Sequence, residues 1–407
     1  MSRMKSSSTK TILWLLLAFL AMLAHAWIVA DAFNYMNGRD FFTFWLGGRM
    51  ILDGQDPTVT TEWFNAVAHY TQEGLGYVKT PIYAYFNYPF YVAVLFILLA
   101  LLPYQVAAVL WLLLSQLMVA FTTWVVMGTW QTARKKSFIF PIVAALFVFR
   151  PLMVTLWSAQ LGVLLLFLSA LAAHLWRKQR WFWSGVALAF LLVKPTIGLP
   201  IIGITGLWLL RERRWHALAG GMTGGIGLLL LGMVVKPNWL PVFLGMGKHM
   251  IDVTFGYNPT LWGLGGALCQ HTAPCQVWAG WALCIAAALA GIFSVYQKHL
   301  PLTPVQVIAF AIPPAVLVTP YLWAYDQVIL ILPVLVCLGL LIERRVRYLI
   351  AATFFLLLDL IALLFVYIAA QSETDIISVG LPLLIWGLLL VFKLWERHHV
   401  QLRQPAA

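Results

Sequence analysis

Residues 106–127 read VAAVLWLLLSQLMVAFTTWVVM, twenty-two residues without a charge. About 20 helical residues cross a hydrocarbon core of about 30 Å, so this run is long enough to span a bilayer. Comparable runs occupy residues 11–32, 279–295 and 349–370. The rest of the composition agrees: of 407 residues 62% are hydrophobic and 10% charged, with a mean hydropathy of +0.88. A soluble domain carries about 25% charged residues, because water must solvate its surface. The solvent for most of this surface is lipid.

The formal net charge of +12 does not indicate nucleic acid as a partner. The basic residues form no single stripe but sit in short clusters between apolar runs: Arg3, Lys5 and Lys10; Arg134, Lys135 and Lys136; Arg177, Lys178 and Arg180; Arg211, Arg213 and Arg214; Arg344, Arg345 and Arg347. Clusters of this kind mark loops retained in the cytoplasm. Ala24-His25-Ala26 imitates a cleavage site, but the apolar run continues through Trp27 to residue 32. The expectation is an uncleaved first span with the N-terminus in the cytoplasm, in a multi-pass protein of the inner (plasma) membrane of a bacterium.

The most polar part of the chain follows that span, and residues 34–88 are expected to form a long first external loop. Six of the fourteen acidic residues fall between positions 31 and 73: Asp31, Asp40, Asp53, Asp56, Glu62 and Glu73. Within this loop FFTFWLGGRMILDG reads as an amphipathic helix whose aromatic face (Phe41, Phe44, Trp45) would lie in the membrane interface, with Gly54 as its stop. A second short helix is expected over residues 61–70. Further on, several apolar runs are too short to cross alone: residues 138–149, 181–193 and 197–210. Breaks at Arg150-Pro151 and Lys194-Pro195 separate them. Such breaks are tolerated where backbone faces protein or a wet cavity, so they point to a site. Residues 90–127 look like two spans joined at LLPYQ, which would set Arg134–Lys136 outside, against the charge rule. Either one piece is re-entrant or that loop is an exception. The expected fold is an all-α polytopic transmembrane bundle of about a dozen spans, forming a single domain over residues 1–407.

Cys284 and Cys337 lie in apolar segments and read as small core residues. Cys269 and Cys275, in CQHTAPC, fall in a loop expected outside the cytoplasm, where a disulfide would be stable, but CxxxxxC spacing alone does not establish one. No phosphate-binding glycine loop, HExxH or nucleophile elbow is present.

In order along the chain, GRDFFTFWLGGRMILDGQDP, NYPFYVAVLF, LLPYQVAAVLW, RPLMVTLWSAQLGVLLLFL, GVALAFLLVKPTIGLPII, NPTLWGL and TPYLWAYDQVILILP resemble the GT-C glycosyltransferases, specifically glycosyltransferase family 87. The resemblance runs over about residues 12–340. It implies transfer of a hexose, with mannose the sugar it suggests, from a polyprenyl-phosphate-linked donor to a glycan or glycolipid acceptor on the non-cytoplasmic face. It also implies that an acid early in the first external loop is the general base on the acceptor hydroxyl, and the matching position is Asp40. A carboxylate within hydrogen-bond reach can take that proton, and the phosphate leaving group needs no strong acid. The alternative for Asp40 is an acid that marks where the first span leaves the membrane. Asp31, Asp53 and Asp56 are the fallback candidates for the base, though Asp53 and Asp56 suit turns around Gly54 and Pro57.

Charge that develops on a departing lipid phosphate calls for nearby cations. Candidates are Arg49, Arg150, Lys194, Lys236, Lys248, His249 and His271, of which Arg49 reads better as a snorkelling residue. Arg150 and Lys194 could equally form a buried pair with Asp359, mid-span in FFLLLDLIALLF. Gln160 and Asp326 are expected to line a cavity, with helix packing as their alternative. Tyr325 and Asp326 stand where the family often shows a histidine or another polar group. Of the aromatics, Trp45, Trp63, Trp262 and Trp323 could stack on sugars. The external acids lack a DxD pair, so neither a metal nor a cofactor is implied. The rival function is a transporter or flippase of lipid-linked saccharides, which would favour paired repeats; no strong repeat is evident.

Overall fold

The computed structural model describes residues 20, 22–28, 39–72, 86–130, 142–143, 145–147, 149–254, 258–272, 274–296, 302–343, 348–372 and 374–401. Its regular structure is helical throughout these residues. They group into two compact units, one of residues 1–118 with 156–160, the other of residues 119–155 with 161–407.

In the first unit, α1 (Arg39–Leu52) is followed by α2 (Thr60–Gln72), α3 (Phe90–Ala100) and the first part of α4 (Tyr104–Met127). The loop helices stand where their apolar spacing set them, and Gly54, at φ +73°, takes the left-handed conformation just past the end of α1. Their aromatic face does not lie in the membrane interface. Phe41, Phe42 and Phe44 are fully buried and Trp45 nearly so, because α3 and α4 supply an aromatic wall for them. Phe44 meets Phe96 with centroids 5.2 Å apart, and Trp45 meets Tyr104 at 5.5 Å. The Trp45 indole also donates to the Leu102 carbonyl at 3.0 Å. Burial of this much ring surface is worth more than an interfacial position, where half of each ring would stay wet. Trp63 is fully buried too, which removes it and Trp45 as sugar platforms. At the open end of α1, Arg49 donates to Tyr70 (2.9 Å), whose hydroxyl donates to Asp53 (2.6 Å), so Arg49 ties α1 to α2.

The second unit contains α5 (Arg150–Ser158), whose last residues belong to the first unit, then α6 (Gly162–Arg177), α7 (Trp181–Ala189) with a 3-10 extension Phe190–Val193, α8 (Pro195–Arg211), α9 (Trp215–Val235), α10 (Trp239–Thr254), α11 (Leu261–Leu268), α12 (Cys275–Tyr296), α13 (Pro304–Val318), a 3-10 segment Ala324–Leu330, α14 (Ile331–Glu343), α15 (Tyr348–Ser372), a 3-10 turn Ile376–Val379 and α16 (Gly380–Gln401). Among the described residues five helices are long and apolar enough to cross a membrane, six if α5 and α6, bent by 116°, count as one broken span. Five shorter apolar helices accompany them, including α3, residues 181–193 and α13. At 11 residues, α3 reaches about 17 Å, roughly half the hydrocarbon core.

Helices α7 and α9 cross with their backbones in contact. A Cβ on Gly185 would lie 1.8 Å from the Ala217 carbonyl oxygen, and one on Gly220 would lie 1.9 Å from that of Phe182. In lipid, where apolar side chains gain little by leaving the solvent, such close approach is a main source of helix association. Gly185→Val and Gly220→Val are each expected to destabilise by about 1–3 kcal/mol or more, since backbone must move to admit the side chain. A thermal melt of either variant checks this; an unchanged midpoint would contradict the crossing.

Candidate functional site

In the second unit the breaks between helices are not loose joints, because hydrogen bonds tie them to each other. The 3-10 extension of α7 stops at Lys194, whose non-helical backbone (φ −133°, ψ 83°) turns the chain into α8, with Pro195 at its first position. The break after α13 runs to the 3-10 segment Ala324–Leu330. Between these two breaks, Lys194 Nζ meets Asp326 Oδ1 at 2.5 Å, with side chains 5% and 0% exposed. The other Asp326 oxygen accepts the backbone N–H of Trp323 at 3.2 Å, and the ammonium group lies 5.4 Å from the centroid of the Tyr325 ring. The Thr319 hydroxyl donates to the Thr196 carbonyl, joining the same two breaks again.

Three further breaks join this centre. Thr155, on α5, donates to the Tyr325 carbonyl at 2.7 Å. Asn258, ahead of α11, donates to the Pro320 carbonyl at 3.3 Å, and the Trp262 indole donates to that of Val318 at 3.0 Å. Gln327 donates to the Ser378 carbonyl at 2.8 Å, and Asp375 accepts the Ala324 N–H. Burial pushes the Asp375 carboxyl above the usual carboxylate range, while Arg150 and the Ala324 N–H pull it back. The hydroxyls of Thr196 and Ser378 are enclosed without a hydrogen-bond partner in the protein. Broken helices stabilised by side chains are what irregular backbone at membrane depth requires.

Of the residues the sequence singled out, Lys194 and Asp326 are thus paired with each other. Asp359 is not the partner of Lys194; its carboxylate instead accepts the Arg150 backbone N–H at 3.0 Å. The Lys194-Pro195 kink turns the lysine toward the 3-10 segment, whereas Asp359 sits at the start of α5. The partly exposed Arg150 is within electrostatic reach of Asp375 and Asp359. Lys248 is exposed on α10 and makes none of these contacts, and the side chain of His249 lies outside the described residues. In the first unit, Gln160 is buried and accepts from the Tyr88 hydroxyl at 3.4 Å. Next to it Ala159 takes the left-handed conformation (φ 49°), with its carbonyl bonded by the Trp111 indole at 2.9 Å. A non-glycine residue held there signals a conformation the surroundings impose. Asp40, half-buried, lies in the first turn of α1, where the helix dipole favours a negative group.

Thr155, Thr196, Asp375 and Ser378 are partners that the sequence does not single out. Each stands within a few residues of a helix break, which is the one signal that could have found them.

Cys269 and Cys275 form a disulfide across the turn between α11 and α12, and Cys284 and Cys337 are buried thiols. A thiol-reactive label is expected to reach neither Cys269 nor Cys275 until a reductant is added, as peptide mass mapping would show. Replacing both with serine is expected to cost about 2 kcal/mol, the loop being short. Labelling of either residue without reductant would contradict the bond.

The sequence pattern of glycosyltransferase family 87 matches residues 86–320, more than half of the 407-residue chain. No curated protein and no solved structure matches the chain.

Proposed function

Because this chain belongs to glycosyltransferase family 87 and is a membrane glycosyltransferase, we propose that it moves a hexose, mannose being the favoured sugar, from a polyprenyl phosphate to a glycan or glycolipid acceptor outside the cytoplasm. The family match carries the reaction class. The observation that carries the site is the set of helix breaks knitted together around Lys194 and Asp326, which is where irregular backbone and enclosed polar atoms accumulate in an otherwise apolar unit. A donor with a polyprenyl tail is held in lipid, and an enzyme that works on it needs its chemistry at the edge of the hydrocarbon layer.

Asp40 is the proposed general base. It removes the proton as the acceptor hydroxyl attacks the anomeric carbon, and the bond to the lipid phosphate breaks. One base and a phosphate leaving group call for a single displacement with inversion. Lys194, committed to Asp326, is assigned a positioning role. Arg150, partly exposed, is the proposed cation for the phosphate.

The charge distribution supports the orientation. With α3 as a half-length re-entrant piece, α4 returns the chain to the side from which the first span left. On that reading the charge rule holds for Arg134, Lys135 and Lys136 too, which lie outside the described residues. Lys194, residues 319–326 and the disulfide turn fall on the opposite side, and a disulfide is stable outside the reducing cytoplasm.

The test uses purified protein in sealed vesicles with a labelled polyprenyl-phosphate hexose. Transfer leaves the label on the acceptor and frees polyprenyl phosphate. Movement of the intact donor between leaflets, without new product, would instead favour the transporter reading.

A further inference from the structure

The chain repeats one short device at the starts of α7 and α9. RKQRW (residues 177–181) and RERRW (residues 211–215) each end one helix and begin the next. The copies share a backbone: Gln179 and Arg213 both have positive φ (58° and 52°), and Arg180 and Arg214 both have φ −84° and ψ 60°. At neither helix start does the N-cap side chain, Arg180 or Arg214, accept from the first turn.

The close crossing of α7 and α9 places the two turns side by side. The Arg214 guanidinium stacks 4.3 Å from the centroid of the Trp181 ring, a contact between one copy and the other. A cavity of about 350 Å³ opens here, lined by Gln179, Arg180, Trp181, Phe182, Trp183 and His216. Glu212, the one carboxylate on either turn, pairs with Arg211. No carboxylate pairs with Arg180, Arg213 or Arg214 among the described residues. Trp183 and Trp215 are 57% and 59% exposed on either side of these arginines, a mixture that suits the water–lipid boundary.

We propose that the paired RxxRW turns form a binding site for the headgroup of an anionic phospholipid. Three arginines and two helix N-termini supply positive potential and donors for a phosphodiester. Two observations favour a lipid over a free anion. The exposed tryptophans flank the cations, and Arg211 donates to the carbonyl of Tyr296 at 2.5 Å. Tyr296 lines an apolar groove of about 620 Å³ with Leu207, Leu289 and Phe293, suited to an acyl chain. Basic pockets between spans on the anionic leaflet hold headgroups by the same physics. This site is independent of the assignment of Asp40.

Thermal unfolding in nanodiscs tests the proposal. Phosphatidylglycerol added to phosphatidylcholine should raise the melting midpoint by several degrees, because a ligand of the folded state stabilises it. Inorganic phosphate should not. Arg180→Gln/Arg214→Gln should abolish the shift, read against that variant's own midpoint in phosphatidylcholine, which loss of the Arg214–Trp181 stack lowers. Arg180→Gln/Arg213→Gln, which keeps the Arg214–Trp181 stack, should remove most of it. An undiminished shift in both variants, or an equal shift from inorganic phosphate in the wild type, would overturn the lipid site.

Discussion

Asp40→Asn is expected to lower kcat for sugar transfer by about 10²–10⁴-fold, the usual contribution of a general base, while the protein is made and folds as before. The substitution keeps the shape of the side chain and removes its ability to take a proton. Its helix is anchored from behind by the buried rings of Phe41, Phe42, Phe44 and Trp45, so loss of one charge in the first turn leaves α1 in place. Donor binding should also survive, since the base acts on the acceptor; KM for the donor should change far less than kcat. Asp53→Asn is the control. Asp53 accepts from Tyr70 and pairs with Arg49 at 3.3 Å, a staple between α1 and α2. Its loss should leave most activity. Full activity in Asp40→Asn with loss in Asp53→Asn would exchange the two roles.

Lys194→Met is expected to destabilise the protein by about 3–5 kcal/mol, the cost of leaving Asp326 charged and alone in the interior. Asp326→Leu should cost a similar amount, for the mirror reason. The double variant Lys194→Met/Asp326→Leu should recover most of that stability, because two apolar side chains of similar size carry no unmet charge. The double-mutant cycle then separates stability from function. If the pair positions the helix breaks for catalysis, the double variant melts near the wild type yet transfers sugar poorly. Wild-type rates from a well-folded double variant would reduce the pair to packing. Equal stability in all four proteins would contradict the buried pair itself.

Much of the fold is legible in the residues. A polytopic helical protein follows from runs such as residues 106–127, and the two loop helices with their Gly54 stop follow from amphipathic spacing. The breaks at Arg150-Pro151 and Lys194-Pro195 point to irregular backbone, because proline interrupts the helical ladder and a charge in apolar sequence demands a polar neighbour. Partners are harder to see. Lys194 and Asp326 are 132 positions apart, and nothing local distinguishes Asp326 from Asp359 as the acceptor; only the direction of the kink decides. The spacing of α1 marks its aromatic face correctly but not the surroundings of that face. Amphipathicity says that one side avoids water, and it does not say whether lipid or protein provides the shelter. The twin RxxRW turns are visible in sequence as basic clusters, which speak to topology alone. Their closely matching backbone appears only in three dimensions.

A comparison of donors separates transfer from a lipid phosphate from every other reading. Purified protein in lipid is given a labelled hexose either as polyprenyl phosphate or as nucleotide sugar, with the same set of glycan and glycolipid acceptors and with EDTA present. Labelled product is expected from the polyprenyl-phosphate donor alone, accompanied by free polyprenyl phosphate. Product from the nucleotide sugar, or movement of the intact lipid donor with no product, would contradict that expectation.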